Sequence, residues 1–361
     1  MTFSRELLFY SGRNVLVTGH SGFKGSWLSS WLAMIGAAVT GFSLPSDDGA
    51  PCPFETMGFG KEIESISGDI RNLHSILSAV NKSRPELIFH LAAQSIVRRS
   101  YRQPVETYST NVLGTAHLLE AARRCSSVGA VIVVTSDKCY QNHGWLQGYR
   151  EDEPLGGGDP YSSSKACAEL VTEAYRRSFF RDENAAGTGS ARSGNVIGGG
   201  DWAEDRLIPD IVRSLTVGKP VVLRNPGFIR PWQHVLEPLR GYLLLGKKLL
   251  ENRRDYSEAW NFGPSENENL TVKQVAEKFI NSWGQGSLAI RQNDAALEEA
   301  RLLKLDSGKS RRRLGWQPVL TIDESIDLTV YWYRAYYDEP ASASDITERQ
   351  IKSYCSRLSS E

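Results

Sequence analysis

The apolar run Asn14-Val15-Leu16-Val17-Thr18 breaks into Gly19-His20-Ser21-Gly22-Phe23-Lys24-Gly25, and an amphipathic stretch, Ser26 to Gly36, leads into a second apolar run over 37–42. Such a succession predicts strand, tight glycine turn, helix and strand, the βαβ order that binds dinucleotides. The glycines let the backbone turn sharply and come close to a pyrophosphate, which then rests on the N-terminus of the helix. Gly19, Ser21, Gly22, Phe23, Lys24 and Gly25 are therefore candidates to hold a cofactor.

The alternation continues. Ile66 to Ile70 predicts a strand containing Asp69, placed to hydrogen-bond an adenine amine; Leu73 to Val80 predicts a helix. Glu86 to Ala93 predicts a buried strand whose end, Leu91-Ala92-Ala93, is small enough for a cofactor backbone to pass. Val105 to Arg124 predicts a long helix and Ala130 to Thr135 another strand. Strands separated by helices imply a parallel sheet covered on both faces. Its ligands lie beyond the carboxyl ends of the strands, where Gly19, Ala92 and Ser136 would all sit.

After Arg181 the pattern changes. Gly187 to Trp202 is rich in glycine and turns, Asp205 to Val217 predicts a helix, and 224–235 a loop holding Arg224, Arg230 and Trp232. Ala259 to Gly263 predicts one more sheet strand. Leu270 to Trp283 (with Thr271 near the N-cap), Ser307 to Leu314 and Ile322 to Tyr336 predict helices. The expected division is a dinucleotide-binding part over 1–193 with returns near 236–264, a substrate part over 194–235 and 265–340, and a polar tail over 341–361 that forms either a terminal helix or a loose end.

Charge and composition narrow the function by exclusion. The 42 basic and 42 acidic residues cancel, so no global field favours nucleic acid or an anionic membrane. No apolar run reaches the ~18–20 residues that span a bilayer, and 1–13 lacks a signal-peptide core. Five cysteines, odd in number and widely spaced, and six scattered histidines suit neither a disulfide framework nor a metal site. A soluble chain of the cytoplasm is the expectation.

Tyr161 and Lys165 are four apart, hence on one face of a helix. The ammonium can favour the phenolate, whose free pKa of ~10 is too high for a base at neutral pH. Together with Thr18-Gly19-x-x-Gly22-Phe23-x-Gly25, His90-Leu91-Ala92-Ala93 and Asn111-Val112-x-Gly114-Thr115, this pair resembles the extended short-chain dehydrogenase/reductase family over about 14–336. Ser136-Asp137-Lys138, Gly148-Tyr149-Arg150-Glu151, Asp205 to Asp210 and Arg230 to Pro238 resemble, within it, the nucleotide-sugar 4,6-dehydratases.

The resemblance implies an α/β fold, a Rossmann-type doubly wound parallel sheet with a smaller C-terminal α/β substrate-binding domain. It implies NAD, held by the glycine turn with Ser43, Asp69, Ile70, Leu91, Ala92, Ala93, Tyr161 and Lys165. Ser43 stands where an acid usually binds the ribose 2′-hydroxyl, yet 43–49 offers no Arg or Lys for a 2′-phosphate. Tyr161 would take the proton of the sugar C4 hydroxyl while Ser136 holds it, and Asp137 would protonate the C6 leaving group. Lys138 would serve as the C5 base or as an electrostatic stabiliser of the enolate. CDP-glucose is the implied substrate, bound by Gln94, Arg192, Asn195, Arg206, Leu207, Arg224, Arg230, His234 and Arg291. A 4-epimerase would need no acid and base for C5 and C6, and a non-catalytic cofactor-binding protein could dispense with the Tyr–Lys pair. The long helices Val105 to Arg124 and Tyr161 to Phe180 resemble a dimer-forming pair, so a homo-dimer or homo-tetramer is implied.

Overall fold

Seven strands form one parallel sheet in the computed structural model, which describes residues 3–46, 49, 51–182, 184–265, 270–290 and 301–358. They are β1 (Asn14–Thr18), β2 (Ala38–Ser43), β3 (Ile63–Ser67), β4 (Leu87–His90), β5 (Ala130–Val134), β6 (Gly187–Ser193) and a last strand, Ala259–Phe262. Their order is β3-β2-β1-β4-β5-β6, with Ala259–Phe262 outermost beside β6, and every pairing is parallel. Because helices cover both faces, β4 and β5 are buried along their whole length, and their sequences are nearly continuous apolar runs. Along β1 successive side chains enter opposite cores: Val15 and Val17 join one, Leu16 the other.

The first core lies under helices Phe23–Ile35 (α1) and Leu236–Glu251; the second lies under Leu73–Ser83 and Gly114–Arg124. The strand order reverses between β1 and β4, and a crevice opens there at the carboxyl edge.

Three expectations need correction. The segment read as glycine-rich turns contains β6, buried throughout; its glycines are small because a Cβ on Gly189 would stand 3.2 Å from Leu245 and Leu249 of the helix pressed against it. β3 ends at Ser67 and β4 at His90, so Asp69–Ile70 and Leu91–Ala93 belong to the loops beyond the sheet edge. The loop over 224–235 contains two short strands, Ile229–Arg230 paired with Leu270–Thr271 and Gln233–His234 paired with Val196–Ile197. Of the two forms expected for the polar tail it takes the helix, Ala343–Leu358, with Ile346, Ile351, Tyr354 and Cys355 buried. Its polar composition is that of one exposed face; Tyr354 meets Trp31 edge-on and donates to Glu237 Oε2 at 2.7 Å.

Thr271 caps Val272–Trp283 in a reciprocal capping box with Gln274, as its position in the sequence foretells. The helix expected over 105–124 is interrupted by one π turn at Ser109–Leu113. No helix among the described residues is long and apolar enough to cross a membrane.

Candidate active site

The crevice at the strand reversal is a cleft of about 1460 Å³ that runs from the glycine turn, past the ends of β4 and β5, to the wall formed by 205–232. Gly19 has φ +75°, and a Cβ there would lie 2.7 Å from the Ala92 nitrogen; one on Gly25 would meet the Gly19 carbonyl at 2.0 Å. Gly22 caps α1, whose first N–H groups face the cleft without side-chain partners. This is a cradle for an anionic backbone that side chains would fill, and it fits the pyrophosphate of a dinucleotide. Ser21, Phe23, Ser43, Asp69, Ile70, Leu91, Ala92 and Ala93 line the same stretch. Ser43 Oγ is 2.7 Å from His20 Nδ1, whose Nε2 is 2.9 Å from Ser65 Oγ, so Ser43 carries no charge to the ribose position. Hydrogen bonds from Arg71 hold the Asp69 carboxyl below the usual range, leaving it an acceptor.

At the centre of the cleft, β5 runs directly into Ser136. Its Oγ accepts from the Lys138 N–H at 3.2 Å, capping a short 3-10 turn, and donates to Asp137 Oδ1 at 2.8 Å. Asp137 Oδ2 is buried without a hydrogen-bond partner, and burial raises its carboxyl above the ordinary range. Tyr161 lies in the first turn of helix Pro160–Phe179, which Asp159 caps and Pro160 starts. Burial pushes the Tyr161 phenol up to about 12, against the pull of its hydrogen bond with Ser136 and the charge of Arg206. Lys165, one turn on, donates to the Val134 carbonyl at 3.3 Å, and burial brings it down to about 8. All five expected catalytic residues line this one cleft. Lys24 points inward too, donating to Ser193 Oγ at 2.8 Å, and burial lowers it to about 7.

The residues expected to hold substrate divide. Asn195, Arg206, Leu207, Arg224 and Arg230 line the cleft. Arg206 is held by Asp201 at 2.8 Å and donates to Ser95 Oγ at 2.7 Å. Gln94 does not face the cleft: its amide is spent on Ile96 and Thr107, shaping the loop after β4. Arg192 is buried behind the Ser136–Tyr140 segment, paired with Glu169 at 2.9 Å and bonded to Tyr140 Oη and the Glu151 carbonyl. His234 is fully buried edge-on to Trp27, away from the cleft. Arg291 lies outside the described residues.

Sequence reasoning missed Asn111 as a positioning residue. Within the π turn its side chain bonds both Gln94 backbone groups and Ser164 Oγ, tying the β4 loop to the helix of Tyr161. A polar residue inside an otherwise amphipathic helix was the available signal.

The sequence model of the GDP-mannose 4,6 dehydratase family matches residues 16–329. A CDP-glucose 4,6-dehydratase from Salmonella typhimurium is 48% identical over 91% of this chain and 92% of its own length. Among solved structures, a dTDP-glucose 4,6-dehydratase from Streptomyces venezuelae with NAD bound superposes with TM-score 0.77 at 26% identity, covering 91% of this chain and 99% of the other. An epimerase from Methanothermobacter thermautotrophicus shares the fold, with TM-score 0.79 at 24% identity over 94% and 97% of the two chains.

Proposed function

The chain belongs to the GDP-mannose 4,6 dehydratase family, and on that premise we propose that it removes water from CDP-glucose to give CDP-4-keto-6-deoxyglucose, with NAD as a cofactor regenerated in each turnover. The observation that carries this reading is the meeting of Ser136, Asp137, Lys138, Tyr161 and Lys165 in one cleft beside the glycine turn, in a chain 48% identical to a CDP-glucose 4,6-dehydratase. An epimerase has no use for a buried acid next to an amine at this point.

Bound NAD supplies the redox chemistry, oxidation at C4 and reduction at C6. The glycine turn and the loops at Ser43, Asp69 and Leu91–Ala93 hold it. Tyr161 takes the proton of the C4 hydroxyl, and Ser136 keeps that hydroxyl in line. A phenol at about 12 stays protonated at neutral pH even with Arg206 beside it, so a further cation must favour the phenolate as the proton moves, and Lys165, one turn on, is the one at hand. With C4 a ketone, the C5 proton is acidic, and Lys138 serves its departure either as the free amine that takes it or as the ammonium that steadies the enolate. Asp137, kept protonated by burial, gives its proton to the departing C6 hydroxyl. Its unpartnered Oδ2 abuts Gly194, where a Cβ would come within 3.2 Å. Arg230 and Arg206 bind the diphosphate, and Asn195 and Leu207 border the sugar nucleotide. On this reading the nucleotide sugar binds to the part proposed over 194–235 and 265–340, over the dinucleotide-binding sheet.

The active species is a homo-dimer or homo-tetramer of the cytoplasm, joined through helices 104–124 and Pro160–Phe179. Val105, Leu113, Leu170 and Phe179 on these helices are exposed apolar side chains, which a second copy would cover. Incubation with NAD and CDP-glucose tests the reaction: a 4-keto-6-deoxy product absorbing in alkali is expected. Unchanged CDP-glucose, or its C4 epimer, would overturn it.

A further inference from the structure

The wall opposite the catalytic turn carries charges that a diphosphate does not explain. Arg224 donates to Asp205 Oδ1 at 2.7 Å, and its other amino nitrogen stands 3.5 Å from Asp210 Oδ2. Two carboxylates therefore answer its charge, and it has little left for a phosphate. Asp210 occupies the first turn of helix Leu207–Thr216 and is also paired with Arg213. Asp205 has φ +61°, one of two non-glycine residues with positive φ among those described. A conformation of that kind persists only where its surroundings enforce it. Here it aims the carboxylate at Arg224.

Leu207, Leu223, Phe228 and Val272 make the neighbouring stretch of the cleft apolar. With the sugar at Tyr161 and the diphosphate at Arg206 and Arg230, the base of a nucleotide sugar arrives in this stretch. An apolar slot bordered by a carboxylate and a guanidinium side by side suits a flat ring whose edge shows a donor next to an acceptor.

Resting on the function proposed above, we infer that Asp210 and Arg224 recognise the cytosine edge: the carboxylate accepts from the exocyclic amine, and the guanidinium donates to the ring nitrogen and carbonyl. Asp205 is a positioning residue that holds Arg224 for this. Carboxylates accept from the same amine when proteins read cytosine in DNA. Uracil and thymine set a carbonyl oxygen against Asp210 and an N–H against Arg224, so the contacts at the amine and ring-nitrogen positions turn repulsive and only the bond to the ring carbonyl survives.

The test is titration of the full-length protein with CMP and UMP by calorimetry, beside turnover of CDP-glucose and UDP-glucose. The unaltered protein prefers CMP. Asp210→Asn, whose amide can turn its NH2 toward a carbonyl, is expected to lower the CMP-to-UMP preference about tenfold or more. Arg224→Gln is expected to weaken CMP more than UMP. Equal weakening of both nucleotides in both variants, or an unchanged preference, would overturn the inference. If CDP-glucose is not turned over at all, the proposed reaction fails, while the CMP-to-UMP ratio still decides the role of Asp210.

Discussion

Replacing either partner of the Glu169–Arg192 pair should destabilise the protein severely, and replacing both should largely restore it. The two side chains are 3% and 4% exposed and lie 2.9 Å apart. Removing one member of such a pair strands the other charge in a dry interior, which costs about 3–5 kcal/mol. Glu169→Met belongs at the upper end, because Glu169 also accepts from Thr135 and, at 2.6 Å, from Ser190. Arg192→Met leaves those two bonds in place but loses its own to Tyr140 Oη and the Glu151 carbonyl, so it falls in the same range. The double Met variant removes both charges and keeps the volume, so its loss should be no more than ~2 kcal/mol. Denaturant unfolding of the four proteins then gives a coupling energy of several kcal/mol. Costs that simply add, with coupling below ~0.5 kcal/mol, would refute the reasoning. The pair also sets an acid limb. Burial alone would raise the Glu169 carboxyl, but Arg192 and the hydrogen bonds outweigh it and leave it depressed. Its stabilisation is therefore present above the unfolded value of ~4.3 and is lost as pH falls through the folded one. In the double variant that limb should flatten, and KM for the nucleotide sugar should stay unchanged, since Arg192 lies behind the cleft.

Tyr161→Phe should cut turnover by roughly 10²–10⁴, the usual worth of a positioned acid–base group, measured as product formed per enzyme; wild-type turnover would remove Tyr161 from the chemistry. Lys138→Ala should abolish exchange of the C5 proton with solvent, followed by NMR in D2O, while oxidation at C4 in a single turnover persists. Because burial raises Asp137 and its protonated form acts, kcat should fall as pH rises through that raised value; Asp137→Asn should lose this alkaline limb along with most of the rate. Tyr354→Phe leaves a buried Glu237 oxygen short of a donor and should cost about 1–3 kcal/mol in thermal or denaturant unfolding; no change would mean that the C-terminal helix is held by its apolar contacts alone.

The doubly wound sheet was legible because β1, β4 and β5 are short apolar runs punctuated by glycine or small residues, and nothing but a two-sided burial requires that. β6 was hidden. Thr188, Ser190 and Arg192 give it the look of a loop, but Ser190 and Arg192 bond buried Glu169, a partner 20-odd positions away in sequence that no local pattern reveals. The same distance explains Arg192 itself: position in a motif placed it near the sugar, whereas its ion pair turns it inward. That Ser136, Asp137, Lys138, Tyr161 and Lys165 share one cleft was legible because strand ends and helix starts fix where Ser136 and Tyr161 must sit. Gln94 and His234 share those neighbourhoods but face away, since the direction of a loop side chain depends on partners such as Thr107 and Trp27. The polar face of the helix at Ala343–Leu358 left a loose end as the other reading; its buried positions Ile346, Gln350, Ile351, Tyr354 and Cys355 recur at helical spacing.

If one cleft oxidises C4, eliminates across C5 and C6, and reduces C6 without releasing its cofactor, the hydride taken from C4 returns to C6 of the same sugar. CDP-glucose deuterated at C4, incubated with the protein and NAD in ordinary water, tests it directly. Mass spectrometry and NMR of the product should find the deuterium at C6. Deuterium still at C4, or lost to the medium, would contradict the claim.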